Sequence, residues 1–295
     1  MRSPSIAAGA AILAVLIAPQ PARAWGFEAH RFIMERAIAQ LPAEIRPFFE
    51  KYRTAIVEHV IDPDLWRAAG WEAEPPRHFL DMDAYGAFPF SQLPRDYNDA
   101  VARYGEAFVR KNGLLPWRTG EVYVNLVEAF TQTTPYAREN IKFFSSVIAH
   151  YVSDAHVPLH AVLNYDGQLT GQWGVHSRFE TELFERYGNS LAIVTPQRPV
   201  TKIGPARDFT FEVLLESFPL AQQVLDADKS AVAGREVYDD EYFTVFFGKV
   251  RPILERRLAD SIARVADIIE AAWIEAGRPA VPLDPPRRPR KVRRS

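Results

Sequence analysis

From Glu28 onward, apolar residues recur at three- and four-residue intervals, the spacing that gathers them on one face of an α-helix. Phe32, Ile33, Ala37 and Leu41 form the first such stripe. Comparable stripes cover residues 100–109 and 122–130, while residues 143–151 are apolar nearly all round, which predicts a helix at the centre of the core. Residues 176–187 predict a short helix. Residues 243–276 predict a long amphipathic one with a kink or break at Pro252. Strand patterning is confined to residues 191–195, and loops rich in Gly, Pro and Asp are expected at 62–78, 86–96 and 164–174. No internal repeat and no linker-like composition occurs before Pro279. The expected fold is all-α, one compact multi-helix domain.

Composition sharpens this picture. The 295 residues are 47% hydrophobic, 12% aromatic and 24% charged, ample for a sizeable core and unlike a disordered or fibrous chain. Arg2, the apolar run of residues 6–18 and the small-x-small pattern Ala22-Arg23-Ala24 read as a cleaved export signal over residues 1–24. The mature chain is then expected to begin at Trp25 and to reside in the periplasm or outside the cell, with no transmembrane span after processing. Residues 25–278 form the expected domain, and residues 279–295, rich in Pro and Arg, an expected disordered tail. Setting aside the two arginines of the signal and the six basic residues of the last nine leaves 27 basic side chains against 37 acidic, a balance of −10. Such a body matches duplex DNA poorly and would be partly neutralised by bound cations. No feature points to a stable protein partner, so a monomer is expected. The chain has no cysteine, which excludes disulfides, thiolate nucleophiles, iron–sulfur clusters and thiolate zinc sites. Any metal must be held by nitrogen and oxygen.

Seven histidines are present: His30, His59, His78, His150, His156, His160 and His176. His150 and Asp154 stand four apart on the apolar central helix and so project from one face. A buried His–Asp pair there demands compensation, which a metal supplies. His160 follows just past Pro158, where the helix should end and the chain turn back. His176 and Glu180 form a second four-residue pair. Two such pairs plus His160 point to a nitrogen- and oxygen-ligated divalent metal, zinc or another of its type.

The order of these elements carries a resemblance. His150-Tyr-Val-Ser-Asp154-Ala-His-Val-Pro-Leu-His160 resembles the His-x3-Asp-x5-His signature of the zinc-dependent phospholipase C and S-one/P-one type nuclease superfamily, and Gly174-Val-His176-Ser-Arg-Phe-Glu180 resembles its following His-x3-Asp/Glu element. Upstream, Trp25-Gly-Phe-Glu-Ala-His30, Val60-Ile-Asp-Pro-Asp64-Leu-Trp-Arg67 and Arg77-His78-Phe are similar to its remaining elements, in the same order. The resemblance implies a helical domain holding three zinc ions. One would take Asp64, His78, His150 and Asp154; a second His160, His176 and Glu180; the third His30 with the amino group and carbonyl oxygen of Trp25, and Asp154 would bridge to the first. Asp62 is the alternative to Asp64. His59 and His156 match no ligand position. Glu28 stands where the phospholipase branch has a choline-pocket carboxylate, beside the simpler reading of a solvated first-turn glutamate. Trp66, Trp71, Phe79, Tyr85, Tyr165 and Trp173 crowd the loops near the ligands, where some are able to stack on a base or cover an acyl chain.

The resemblance implies phosphodiester hydrolysis by metal-activated water, with Asp64 as both ligand and general base. Glu180, where the nucleases usually have Asp, and the missing Gly-Gly-Asn loop between His160 and His176 resemble the phospholipase C branch. Gly26 and the five-residue step from Trp25 to His30 resemble the nuclease branch, so a single-strand nuclease or 3′-nucleotidase is the second expectation and an inactive zinc-binding protein the third. The substrate is accordingly a phospholipid or a single-stranded nucleic acid. A free α-amino group, with an ordinary pKa of about 7.7–8.0, ligates a metal only when it is not acylated by a preceding residue. A cytoplasmic preparation with a tag before Trp25 should therefore carry one zinc fewer than exported, processed protein and lose most phosphodiester turnover. Metal analysis and turnover of the two preparations check this; equal values would make the N-terminus a bystander.

Overall fold

Helix α8 (Ala137–Ala155) carries the most densely apolar segment of the chain and is the element against which the others are laid. Its Ile141, Val147, Ile148, Tyr151 and Val152 are all buried, and each aliphatic side chain so removed from water contributes roughly 1.5–3 kcal/mol. Packed on it are α1 (Phe27–Gln40), α3 (Arg53–Glu58), α7 (Leu115–Thr131), α11 (Ala206–Val232) and α12 (Asp240–Glu275). Shorter pieces complete the shell: α2 (Arg46–Lys51), α4 (Asp62–Ala68), α5 (Tyr97–Tyr104), α6 (Glu106–Lys111), α9 (Val175–Ser177) and α10 (Leu183–Tyr187). This computed structural model describes residues 26–134, 136–196, 204–281 and 283. The expected signal, Trp25 and most of the expected tail lie outside the described residues. The fold is all-α, and none of its helices, among the described residues, is long and apolar enough to cross a membrane.

Several local expectations are corrected. Residues 191–195 form no strand; they run as irregular chain in an all-helical surrounding that offers no ladder partner. The expected helix over residues 100–109 is two helices, because Gly105 adopts φ 83° between α5 and α6. The loop expected at 62–78 opens with α4, where Pro63 occupies the first turn, and closes with a 3₁₀ turn at Pro75–His78. Pro252 does not break α12, which runs through it as a single element. Val250, Leu254, Leu258, Ile262, Val265 and Ile269 recur every three or four residues and are all buried. Together they outweigh the roughly 3 kcal/mol that an interior proline costs a helix. Helix α11 lies outside the sequence-based expectations. Its buried face (Phe211, Leu214, Ala221, Val224 and Leu225) has helical spacing, but Pro219 divides the pattern. At the start of the expected tail, Trp273 Nε1 donates to Pro279 O (2.9 Å) and Tyr52 Oη to Leu283 O (2.6 Å), so these residues are tied to the domain.

Two features place the site. The C-terminus of α8 is capped from outside: Ser217 Oγ donates to Ala155 O (2.7 Å) and Arg257 Nε to His156 O (3.1 Å), while Arg257 Nη2 donates to Ser217 Oγ (2.8 Å). Burial pulls the fully enclosed Arg257 guanidinium down to about 10. The chain then turns through a 3₁₀ segment, Pro158–Ala161, which packs on α11. On the other side, residues 112–115 clamp the chain after His78: Asp81 N donates to Asn112 O (2.8 Å) and Leu115 N to Phe79 O (3.2 Å). Gly113 makes that approach possible. Its φ is 101°, and a Cβ there would stand 2.1 Å from Phe79 O. Gly113→Ala should therefore lose at least about 1–3 kcal/mol through backbone strain alone, measured as a lower midpoint in urea unfolding; an unchanged midpoint would contradict the clamp.

Candidate metal centre

Six elements deliver eight ligand-type side chains to one buried space. His30 comes from α1, Asp64 from α4, His78 from the turn ending at that residue, and His150 and Asp154 from successive turns of α8. His160 comes from the turn after α8, and His176 and Glu180 from the helical segment starting at Val175. Their donor atoms fall into three groups, each within 4.8 Å: His30–Asp64–His150, His78–His150–Asp154 and His160–His176–Glu180. Asp154 is the hub. Its oxygens lie 2.9 Å from His78 Nδ1, 3.2 Å from His150 Nε2, 3.4 Å from His30 Nε2 and 3.9 Å from His160 Nδ1. In the third group His176 Nε2 is 3.0 Å from Glu180 Oε2 and 3.0 Å from His160 Nε2. These buried His/Asp/Glu groups can hold metal ions. Trp25, expected beside His30, lies outside the described residues; its neighbour Gly26 is buried against Thr181, next to Glu180.

The protein alone leaves this space unsatisfied. Both ring nitrogens of His30, both oxygens of Glu180, Asp154 Oδ1, His160 Nδ1 and His176 Nδ1 are buried without a hydrogen-bond partner, a concentration that native interiors avoid. Burial pulls the imidazoles of His30 and His176 down to about 4, the former assisted by the neighbouring His150. Burial also pushes the Glu180 carboxyl up to about 8, against the opposing pull of His160. Burial opposes ionisation of Asp154 too, yet the neighbouring imidazoles of His150, His30 and His78 hold it well below the usual carboxylate range. Neutral imidazole and ionised carboxylate are the states that ligate metals. A cation bound among them would supply the missing partners.

The surroundings hold these side chains in register. His150 Nδ1 faces Val60 O at 2.9 Å, turning Nε2 inward. Arg67 Nη2 lies 2.8 Å from Asp64 Oδ1. The expected uniform helix over 176–187 is instead interrupted by a π-helical turn, Arg178–Glu182, a local irregularity common at functional sites. Arg178 pins that turn: it donates to Asp228 Oδ1 (2.9 Å), Tyr242 Oη (2.9 Å) and the carbonyl oxygens of Trp173 (2.8 Å) and Gln172 (3.2 Å).

Of the remaining sequence candidates, Asp62 lies outside the cluster, paired with His59 on the surface at 2.9 Å. His156 is buried with Nδ1 2.7 Å from Val152 O. Glu28 is exposed and pairs with Arg31. The ring of Tyr165 lies 6.0 Å from that of His176. Trp66 and Trp71 stack on each other at 5.6 Å. Sequence reasoning missed Glu74, which is fully buried beside His78; its position four residues before that histidine is the signal that was available. It also missed Arg178 and Asp228, which nothing local connects.

No family model and no curated protein matches this chain. Because Asp154 alone reaches four of the five clustered histidines, Asp154→Asn should be the most damaging single change to metal loading. The amide keeps the shape but not the charge. Loss of at least one ion relative to the wild type is expected by mass-spectrometric metal analysis after zinc reconstitution, with the helical circular dichroism spectrum retained. Equal metal content would contradict the hub.

Proposed function

We propose that the chain is an exported trinuclear-zinc phosphodiesterase, phospholipase C-like, that hydrolyses phosphate esters with metal-activated water. The observation that carries this reading is the convergence of five histidines and three carboxylates, many of whose buried polar atoms have no hydrogen-bond partner. The sequence resemblance supplies the count of three ions and the assignment of Trp25 with His30 to one of them. When bound, zinc supplies Lewis acidity that activates water near neutral pH and polarises phosphoryl oxygens.

The chain's own residues would do the rest. Asp64, buried and oriented by Arg67 at 2.8 Å, accepts the proton of the attacking water. Asp154 holds the arrangement of histidines about it. Tyr165, partly exposed beside His176, is an aromatic placed to lie against the substrate. Glu180 and the absence of a Gly-Gly-Asn loop favour a phospholipid over a nucleic acid.

Processed protein should hydrolyse bis-(nitrophenyl) phosphate and phosphatidylcholine micelles faster than single-stranded DNA or RNA. A chelator should abolish turnover and added zinc restore it. Asp64→Asn should lower kcat by about 10²–10⁴-fold, the usual worth of a general base. Preferential cleavage of single strands would transfer the assignment to the nuclease branch. A zinc-replete protein inert on all these substrates would overturn the enzymatic reading.

A further inference from the structure

His78 meets its two neighbourhoods with different nitrogens. Nδ1 faces the cluster, 2.9 Å from Asp154 Oδ2 and 3.1 Å from His150 Nε2. Nε2 faces away, buried without a hydrogen-bond partner and 3.6 Å from Glu74 Oε1, within ion-pair reach of that carboxylate. A neutral imidazole carries one N–H, so a carboxylate at Nε2 fixes the proton there and leaves the Nδ1 lone pair for a cation.

Glu74 is built to stay in place. It is fully buried, yet it is not an orphan: Tyr151 Oη donates to its Oε1, and Arg77 Nη1 donates to Oε2 at 2.8 Å. Tyr151 is itself steadied by Arg118 Nε at 3.4 Å, and its ring meets those of His78 and His150 edge-on at 5.8 and 5.6 Å. Burying a carboxylate is costly unless it is paired and hydrogen-bonded. A purely structural role would be served more cheaply by an apolar side chain packed under Tyr151. The carboxyl group instead faces the outer nitrogen of a site histidine.

We propose that Glu74, held by Tyr151 and Arg77, is a positioning residue that fixes the tautomer and orientation of His78 and so sets the affinity of the ion bound by His78, His150 and Asp154. This rests on the metal-centre reading above, and it concerns binding rather than turnover. The second group, His160–His176–Glu180, lies on different elements and has no contact with Glu74 among those described, so it serves as an internal reference.

The test is chelator competition against zinc on processed full-length protein, comparing wild type with Glu74→Gln and Tyr151→Phe, alongside helical circular dichroism. Glu74→Gln should weaken one ion by about 10–100-fold, the usual effect of removing an outer-shell partner, and leave at least one other ion unchanged. Tyr151→Phe, which keeps the ring and removes the hydroxyl donor, should weaken the same ion less. In cobalt-loaded protein the visible absorption of the weakened ion should shift, a change that packing alone would not cause. Affinities equal to wild type in both variants, or equal weakening of every ion with the helical spectrum intact, would overturn the proposal. If Glu74→Gln does not fold, Tyr151→Phe decides: unchanged affinity refutes it. A wild type that binds no divalent ion would instead remove the metal centre itself, a failure distinct from wild-type binding that Glu74→Gln leaves untouched.

Discussion

Ionisable groups buried in an apolar interior need compensation, and the interior of this bundle concentrates them. Three carboxylates and five histidines face one another at the centre, most with polar atoms that no protein group satisfies. Other enclosed charges are paired. Arg178 is buried, but Asp228, Tyr242 and two carbonyl oxygens surround it. Arg257 is fully enclosed, but it caps α8 and bonds Ser217. Glu74 is fully buried, but Tyr151 and Arg77 hold it. Unsatisfied groups are concentrated at the centre, though scattered ones such as Asp81 Oδ1 and Tyr85 Oη lie outside it, and the central set has the composition of a nitrogen- and oxygen-donor metal site. An ion bound there would supply its binding energy to the folded state alone, which would link metal loading to folding.

The scaffold divides this centre into two parts of different construction. His150 and Asp154 sit one turn apart on the most buried helix, whose C-terminal carbonyl groups are capped by Ser217 and Arg257. Their geometry follows from regular α-helix and needs little else. His176 and Glu180 sit on a short segment interrupted by a π-helical turn, and there long-range contacts do the positioning. Arg178 ties that turn to α11 and α12, and Gly174, at φ 81°, starts the segment with a left-handed residue against the Arg178 guanidinium. The tripartite cluster is thus supported by one rigid helix, one pinned irregular segment and the turn between residues 75 and 78 clamped by residues 112–115.

Much of this was legible in the sequence, because helix periodicity and four-residue ligand spacing are local properties. The all-α class follows from apolar stripes such as Val250, Leu254 and Leu258. The pairs His150/Asp154 and His176/Glu180 follow from which side chains share a helical face. The limits are equally local. Gly105 splits a continuous stripe into α5 and α6, Pro219 masks α11, and Pro252 suggests a break that packing on α1, α7, α8 and α11 overrides.

By itself the sequence determined the helices, the absence of thiolate chemistry and the identity of most side chains that meet at the centre. Only the tertiary structure decided that Asp64 enters the cluster while Asp62 pairs with His59 at the surface, although a single residue, Pro63, separates the two. It also decided that Glu74 backs His78, that Arg178 finds Asp228, and that Arg257 caps a helix a hundred residues upstream. Those pairings depend on how distant helices pack. Intrahelical spacing is set by backbone hydrogen bonds a few residues long, whereas a buried charge is satisfied by whatever group the folded chain places within about 3 Å of it.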